Sequence, residues 1–309
     1  MTSTVPAEPV TAPLREATPR SDAQRGLSIG REVGDGPEIE TVVEPPGRWV
    51  GLDLPELWRY RDLLKLMIWR DITARYRQSV AGISWAVIKP VTSMLIFSFV
   101  FGRVAGIQSD GGPYPLFVFS ALLPWMYFSG VLGAVTNSVV SSGALLKKVY
   151  FPRLILPLTG VVTCLVEFLI QLVVLLLIMV WYRHVPGWQI LAAPLFVLVA
   201  AVTALSVGLW LTALNVKYRD IGQAYPFAIQ AWMWLSPVVY SSSAIPEHLR
   251  MLYGLNPMVG VIEGFRWSFL GTTVPDFRLM TASFAVVVLL LVSGLYFFRR
   301  TETTFADVI

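Results

Sequence analysis

The chain has 309 residues, 55% of them hydrophobic and 14% charged, with a mean hydropathy of +0.63. A soluble domain is about 25% charged, so the two or so soluble domains this length would make could not be coated with polar surface, and a soluble enzyme is excluded. One cysteine, Cys164, excludes an internal disulfide, and the separated His184 and His248 offer no metal cluster.

Charge is unevenly distributed. The first 46 residues hold eight acids and four arginines, so a net +4 for the whole chain leaves +8 on the rest. Lysines and arginines retained on the cytoplasmic side of a membrane protein give that excess without any nucleic-acid partner. Seven of the 21 prolines also fall in residues 1–46, among Ser, Thr, Glu and Gly, so little can be buried there to offset ordering entropy. This segment lacks the basic start and apolar core of a signal peptide and is expected to be a disordered cytoplasmic tail.

From Asp53 to Gln78 the pattern turns helical. Asp53 followed by Glu56 resembles a capping box, with Pro55 tolerated in the first turn. At 100° per residue Leu57, Tyr60, Leu64, Met67, Ile68 and Ile72 share an arc of roughly 140°. Arg59 and Arg70 lie opposite, while Arg61, Asp71 and Arg75 fall inside the apolar arc. With Trp58 and Trp69 this reads as a helix lying in the membrane surface, the alternative being a solvated bundle helix.

Six spanning segments are expected near Gly82–Phe101, Tyr114–Val140, Leu154–Tyr182, Ile190–Leu214, Ile221–Tyr240 and Leu279–Phe298. Pro115 and Pro124 predict a kink or break in the second. Between the fifth and sixth, Pro246–Leu255 and Met258–Leu270 are each too short to cross and read as a re-entrant hairpin. With the amino terminus inside, 15 lysines and arginines outside the tail fall on inner segments against five on outer ones, which places both termini in the cytoplasm and the hairpin outside. The expected fold is thus all-α and integral to the membrane, with an interface-helix region at 47–81, a transmembrane domain at 82–300 and a cytoplasmic C-terminal tail at 301–309.

Few residues carry chemistry. No phosphate-cradling Gly-x-x-x-x-Gly-Lys-Ser/Thr loop, His-Glu-x-x-His motif or paired carboxylates occur, and no catalytic or metal residue is assigned. Glu167 lies deep in a span with Gln171 one turn on, where a bare carboxylate costs roughly 2.5–3.5 kcal/mol. The pair reads either as a polar pathway or subunit contact, or as a satisfied interhelical hydrogen bond. The inner loop Ser141–Arg153 forms about two helical turns ending at Pro152; its Lys147, Lys148 and aromatics suit either a docking surface or an ordinary positive loop. Trp125, Tyr127, Phe128, Trp232, Trp234 and Trp267 offer flat faces for sugar rings or an interfacial belt.

Six stretches, in order, now identify a resemblance: Trp69-Arg-Asp-Ile-Thr-Ala-Arg-Tyr-Arg-Gln-Ser79, Gly82-Ile-Ser-Trp-Ala-Val-Ile-Lys-Pro90, Leu123-Pro-Trp-Met-Tyr-Phe128, Lys148-Val-Tyr-Phe-Pro-Arg153, Asn215-Val-Lys-Tyr-Arg-Asp220 and Asn256-Pro257. Over about residues 55–300 the chain resembles the membrane subunit of ABC-2 type polysaccharide exporters, the permeases for O-antigen, related cell-envelope glycans and teichoic acids. The resemblance implies a homodimer in a bacterial inner membrane that moves a lipid-linked polysaccharide. It also implies two copies of a separate nucleotide-binding ATPase that holds the ATP and magnesium, this chain binding no cofactor and not being an enzyme. Ser142, Gly143, Leu145, Leu146, Lys147, Lys148, Val149 and Tyr150 would form the helix that couples to that ATPase, and Ile245–Leu270 the gate helices. The helix at Pro55–Gln78, with Trp58, Arg59, Trp69, Arg70, Asp71 and Arg75, would contact membrane lipid. Aromatics, Trp125, Trp232 or Trp234 first, would line a sugar path along the dimer interface. A drug or lipid exporter of the same type is the alternative; a membrane-embedded sugar transferase would need an acid cluster or metal site.

Overall fold

The computed structural model describes residues 54–77, 82–109, 112–271, 277–302 and 305. The 1–46 tail, Asp53 of the capping box, Gln78 and most of 301–309 lie outside the described residues. Every regular element among the described residues is helical: α1 Leu54–Arg59, α2 Arg61–Arg77, α3 Trp85–Phe97, α4 Tyr114–Ser141, α5 Gly143–Leu146, α6 Ile155–Trp181, α7 Ala193–Lys217, α8 Ile221–Trp234, α9 Glu247–Gly254, α10 Pro257–Leu270 and α11 Phe277–Glu302. A 3-10 turn leads into α3 and π-helical turns extend it to Val104; another 3-10 turn, Trp188–Ala192, leads into α7. Five helices are then long and apolar enough to cross a membrane: Gly82–Val104, Tyr114–Ser141, Ile155–Trp181, Trp188–Lys217 and Arg278–Glu302. This is a multi-pass membrane protein.

The expected fifth span departs from that pattern. Of Ile221–Tyr240, only the 14 residues Ile221–Trp234 are helical, about 21 Å of rise against a hydrocarbon core of about 30 Å. Pro237 supplies no N–H and pushes Ser236 out of the α region, so the helix stops and residues 235–240 turn. By contrast α4 runs on through Pro124 without a break.

The turn leaves carbonyls with no helical donor, and neighbouring elements supply donors. Arg266 of α10, 3% exposed, donates from Nη2 to Pro237 O at 2.8 Å and Val238 O at 3.4 Å. Its guanidinium lies 3.7 Å from the centroid of the Phe117 ring and 3.6 Å from Glu263. Tyr114 Oη donates to Val239 O at 2.6 Å. Asn256 starts α10, with Pro257 in the first turn. Its Oδ1 accepts from Met258 N–H and from Trp232 Nε1 at 2.9 Å, and its Nδ2 donates to Leu235 O and Ser236 Oγ.

α4 is the central post. Most of its length is buried, with Leu116 to Val135 packed between α6, α7 and α10. Small residues set that approach: a methyl added at Gly208 of α7 would lie 2.5 Å from Val135, and one at Gly160 of α6 2.9 Å from Ala134. Asn215 Nδ2 donates to Thr136 O at 3.1 Å, and Asn137 Nδ2 to Tyr225 Oη at 3.2 Å, tying α7 and α8 to α4. A second apolar cluster forms at the end of the bundle where α4 gives way to α5, from Met67, Val139, Phe151, Leu154, Leu209, Phe298 and Phe305.

Replacing Arg266 by Met removes the donor to two buried carbonyls and takes the counter-charge from Glu263, which keeps the Ser242 N–H at 3.2 Å. Loss of one partner of a buried pair costs about 3–5 kcal/mol, so Arg266→Met is expected to lower the thermal unfolding midpoint of the detergent-solubilised protein markedly. A midpoint within a degree of wild type would contradict this account of the turn.

Candidate functional site

The loop after α4 is short and clamped at both ends. α5 is a single turn, Gly143–Leu146, with Gly143 buried and Leu145 and Leu146 turned onto the second apolar cluster. Next come Lys147, Lys148, Val149 (50% exposed) and Tyr150 (70% exposed), all facing outward. Phe151 and Pro152 are buried again, and the Arg153 guanidinium lies 5.8 Å from the Phe305 ring centroid. The result is a basic and aromatic patch held rigidly on apolar anchors. Ser142 stands at the junction of α4 and α5.

α1 and α2 turn the arc of Leu57, Tyr60, Leu64 and Met67 onto this second cluster. That leaves Trp58, Leu66 and Trp69 outward, each 64–71% exposed, on the face opposite the buried one. Arg61 stacks 5.4 Å above the Trp58 ring, Arg59 is exposed, and Arg70 pairs with Asp71 at 2.7 Å. Lys65, 3.0 Å from Asp62, holds that carboxyl below the ordinary carboxylate range.

Arg75 reaches in the other direction. Its Nη1 lies 2.8 Å from Glu167 Oε1 of α6, to which Tyr76 Oη also donates at 3.4 Å. Burial works against the arginine's charge, but the carboxylate outweighs it and raises the Arg75 pKa above its ordinary value. Two clefts flank this pair. One, about 430 Å3, lies among α2, α4 and α6 and is lined by Arg70, Asp71, Asn137, Ser138, Ser141, Ser142, Thr159 and Thr163. The other, about 730 Å3, adds α3 and is lined by Tyr76, Trp85, Lys89, Ser129, Glu167 and Gln171. Arg75 borders both.

The aromatic residues divide sharply. Trp125, Tyr127 and Phe128 are 3%, 4% and 0% exposed in the single chain. α4 packs against α6, α7 and α10, and these rings are core: Phe128 meets Trp125 at 5.3 Å and Trp232 at 5.1 Å, and Tyr127 meets Phe168. Trp232 is half-buried with its N–H held by Asn256. Trp267 is half-buried and edge-on to Trp188. Trp234 alone of the set is exposed, at 45%, beside Phe97 and Phe101. The sequence reading missed the Arg266–Glu263 pair, although opposite charges three apart in an apolar helix were its signal, and missed Phe305, for which no signal existed.

Truncating the fully buried Phe128 to Ala is expected to cost about 3–5 kcal/mol, whereas Trp234→Ala leaves most of its exposed area where it was and is expected to cost about 1 kcal/mol or less. Unfolding midpoints of the two purified variants check this; equal losses would refute the core and surface assignment.

Comparison with known proteins fits this architecture. The sequence matches the ABC-2 type transporter family over residues 62–270. It is 32% identical over 254 residues to the O-antigen export system permease protein RfbA of Myxococcus xanthus, covering 82% of this chain and 97% of that one. A Klebsiella pneumoniae O-antigen export system permease protein RfbA is 26% identical over 80% of this chain and 95% of its own. The polysialic acid transport protein KpsM of Escherichia coli is 21% identical over 63% of this chain and 76% of its own. The chain belongs to the ABC-2 type transporter family.

Proposed function

We propose that this chain is the permease subunit of an ATP-driven exporter that carries a lipid-linked polysaccharide out through a bacterial inner membrane. The observation that carries the reading is the likeness to an O-antigen export permease along nearly the whole of that relative's length. In this reading both termini are cytoplasmic and α8 with residues 235–240 makes the sixth crossing. α9 and α10 form the re-entrant outer hairpin, and α1 and α2 lie in the inner membrane surface with Trp58 and Trp69 toward lipid.

The chain works as a homodimer with two copies of a separate ATPase that binds ATP and magnesium. Not one residue of α8 is buried in the single chain, and Phe227 is 80% exposed; a second copy is the cover this reading gives that face. Trp234 lies on the same helix and is the aromatic best placed to meet a passing glycan. The Lys147–Tyr150 patch docks on the ATPase. Its apolar anchors make the docking effective, because a rigid patch moves only when the crossings it is fixed to move. ATP binding can drive export only by favouring one of two arrangements of those crossings.

Deleting the gene is expected to remove one glycan from the cell surface and to leave its lipid-linked form inside, as read by lipid extraction and sugar analysis. The charge reversal Lys147→Glu with Lys148→Glu is expected to cut export at least about tenfold and to lose the ATPase on co-purification, at normal protein level. An unchanged surface glycan after deletion would defeat the proposal.

A further inference from the structure

The clefts either side of Arg75 are parts of one feature. Along α6 the small and polar residues lining them are the adjacent Thr159 and Gly160, then Thr163, Glu167 and Gln171, each about one helical turn from the last, with Leu156 a turn before them. On α4 the facing residues include Ser129, Gly133, Asn137 and Ser141, again one stripe. At 1.5 Å per residue the α6 stripe rises about 18 Å, from the end that carries Lys147 toward the middle of the bilayer. Met67, Met126 and Leu156 also line the furrow, but hydroxyls, amides, charged groups and small residues predominate, unlike the apolar seam that helix packing alone would select.

Two buried groups in it are unpartnered. Thr163 Oγ1 and Gln171 Oε1 have no hydrogen-bond partner among the described residues, and their side chains are 3% and 7% exposed. One lines each cleft. Both oxygens sit in the furrow's walls with almost no accessible surface of their own; buried polar atoms are nearly always satisfied, so two unpartnered ones in one furrow mark where a polar ligand completes them as it parts the walls. The charges give the ligand's sign. Arg70 pairs with Asp71 and Arg75 with Glu167, which leaves Lys89, exposed at the mouth of the larger cleft, as surplus positive charge. Trp85 beside it offers an aromatic face.

We propose that this furrow holds the head of the exported glycolipid: a phosphoryl group at Lys89 and Arg75, with the first sugar hydroxyls on Thr163 and Gln171. The inference rests on the export reading above. The cleft volumes suit a small ligand head, and a hydroxyl-rich wall suits sugars and not an acyl chain. The Arg75–Glu167 pair then stands at the centre of the furrow, where an arriving phosphoryl group competes with the carboxylate for the guanidinium.

The test uses full-length protein in phosphatidylcholine nanodiscs. It is titrated separately with a polyprenyl diphosphate bearing a disaccharide, with the bare polyprenyl diphosphate and with phosphatidylglycerol, and bound lipid is read by native mass spectrometry. The sugar-bearing diphosphate is expected to bind about tenfold tighter than phosphatidylglycerol, and Lys89→Gln to weaken both diphosphates about tenfold. Thr163→Val, and separately Gln171→Leu, is expected to bring the sugar-bearing form down to the level of the bare one, with the unfolding midpoint held. If all three variants bind as wild type does, or if phosphatidylglycerol binds as tightly as the sugar-bearing lipid, the assignment is overturned. Loss of surface glycan on gene deletion alongside unchanged head binding would leave the export reading standing and end this one.

Discussion

Hydrocarbon offers no hydrogen bonds, so every backbone group freed by a broken helix has to find its partner inside the protein. Pro237 breaks α8, and the rest of that end of the bundle is arranged around the consequence. Arg266, Tyr114 and Asn256 come from three different places in the chain and converge on the carbonyls of residues 235–239. A buried arginine in an apolar helix would be costly in isolation. Here it is held by two carbonyls, a carboxylate and the face of Phe117. The Asn256-Pro257 signature gains a physical meaning in the same way: one side chain starts α10, holds the Trp232 indole and closes the turn.

The opposite end follows another logic. Phe151, Leu154, Phe298 and Phe305 collect α4, α6, α11 and α2 on one apolar cluster. The polar furrow begins beside that cluster and runs inward between α4 and α6, whose close contact at Gly160 and Ala134 leaves the larger side chains to either flank. Small residues thus serve two ends: they allow the central helices to touch, and they leave a hollow wherever a hydroxyl or amide replaces a larger apolar group.

What could be read from the sequence was whatever depends on local periodicity. Runs of apolar residues mark all five long helices to within four residues at each end, because length and hydropathy alone dictate a crossing. The short helices after Pro246 and Asn256 were marked by their prolines. The end of α8 was not, since an apolar run looks the same whether or not Pro237 stops the helix within it. The site was less legible. Exposure of Lys147 and Tyr150 followed from their loop, but the burial of Trp125 did not, because no single helix reveals that others surround it. The partner of Glu167 lay 92 positions away in a surface helix, a pairing that spacing cannot disclose.

Phe305 ties the basic patch to the end of the bundle. Beyond the end of the final long helix, its ring is enclosed with Phe298 and meets the guanidinium of Arg153, three residues after Tyr150 of the basic patch. The patch is consequently fastened to α4 through Ser142, to α6 through Phe151 and Leu154, and to α11 through Arg153. A push on it is delivered to three membrane crossings at once, as a handle riveted at three points turns a whole door.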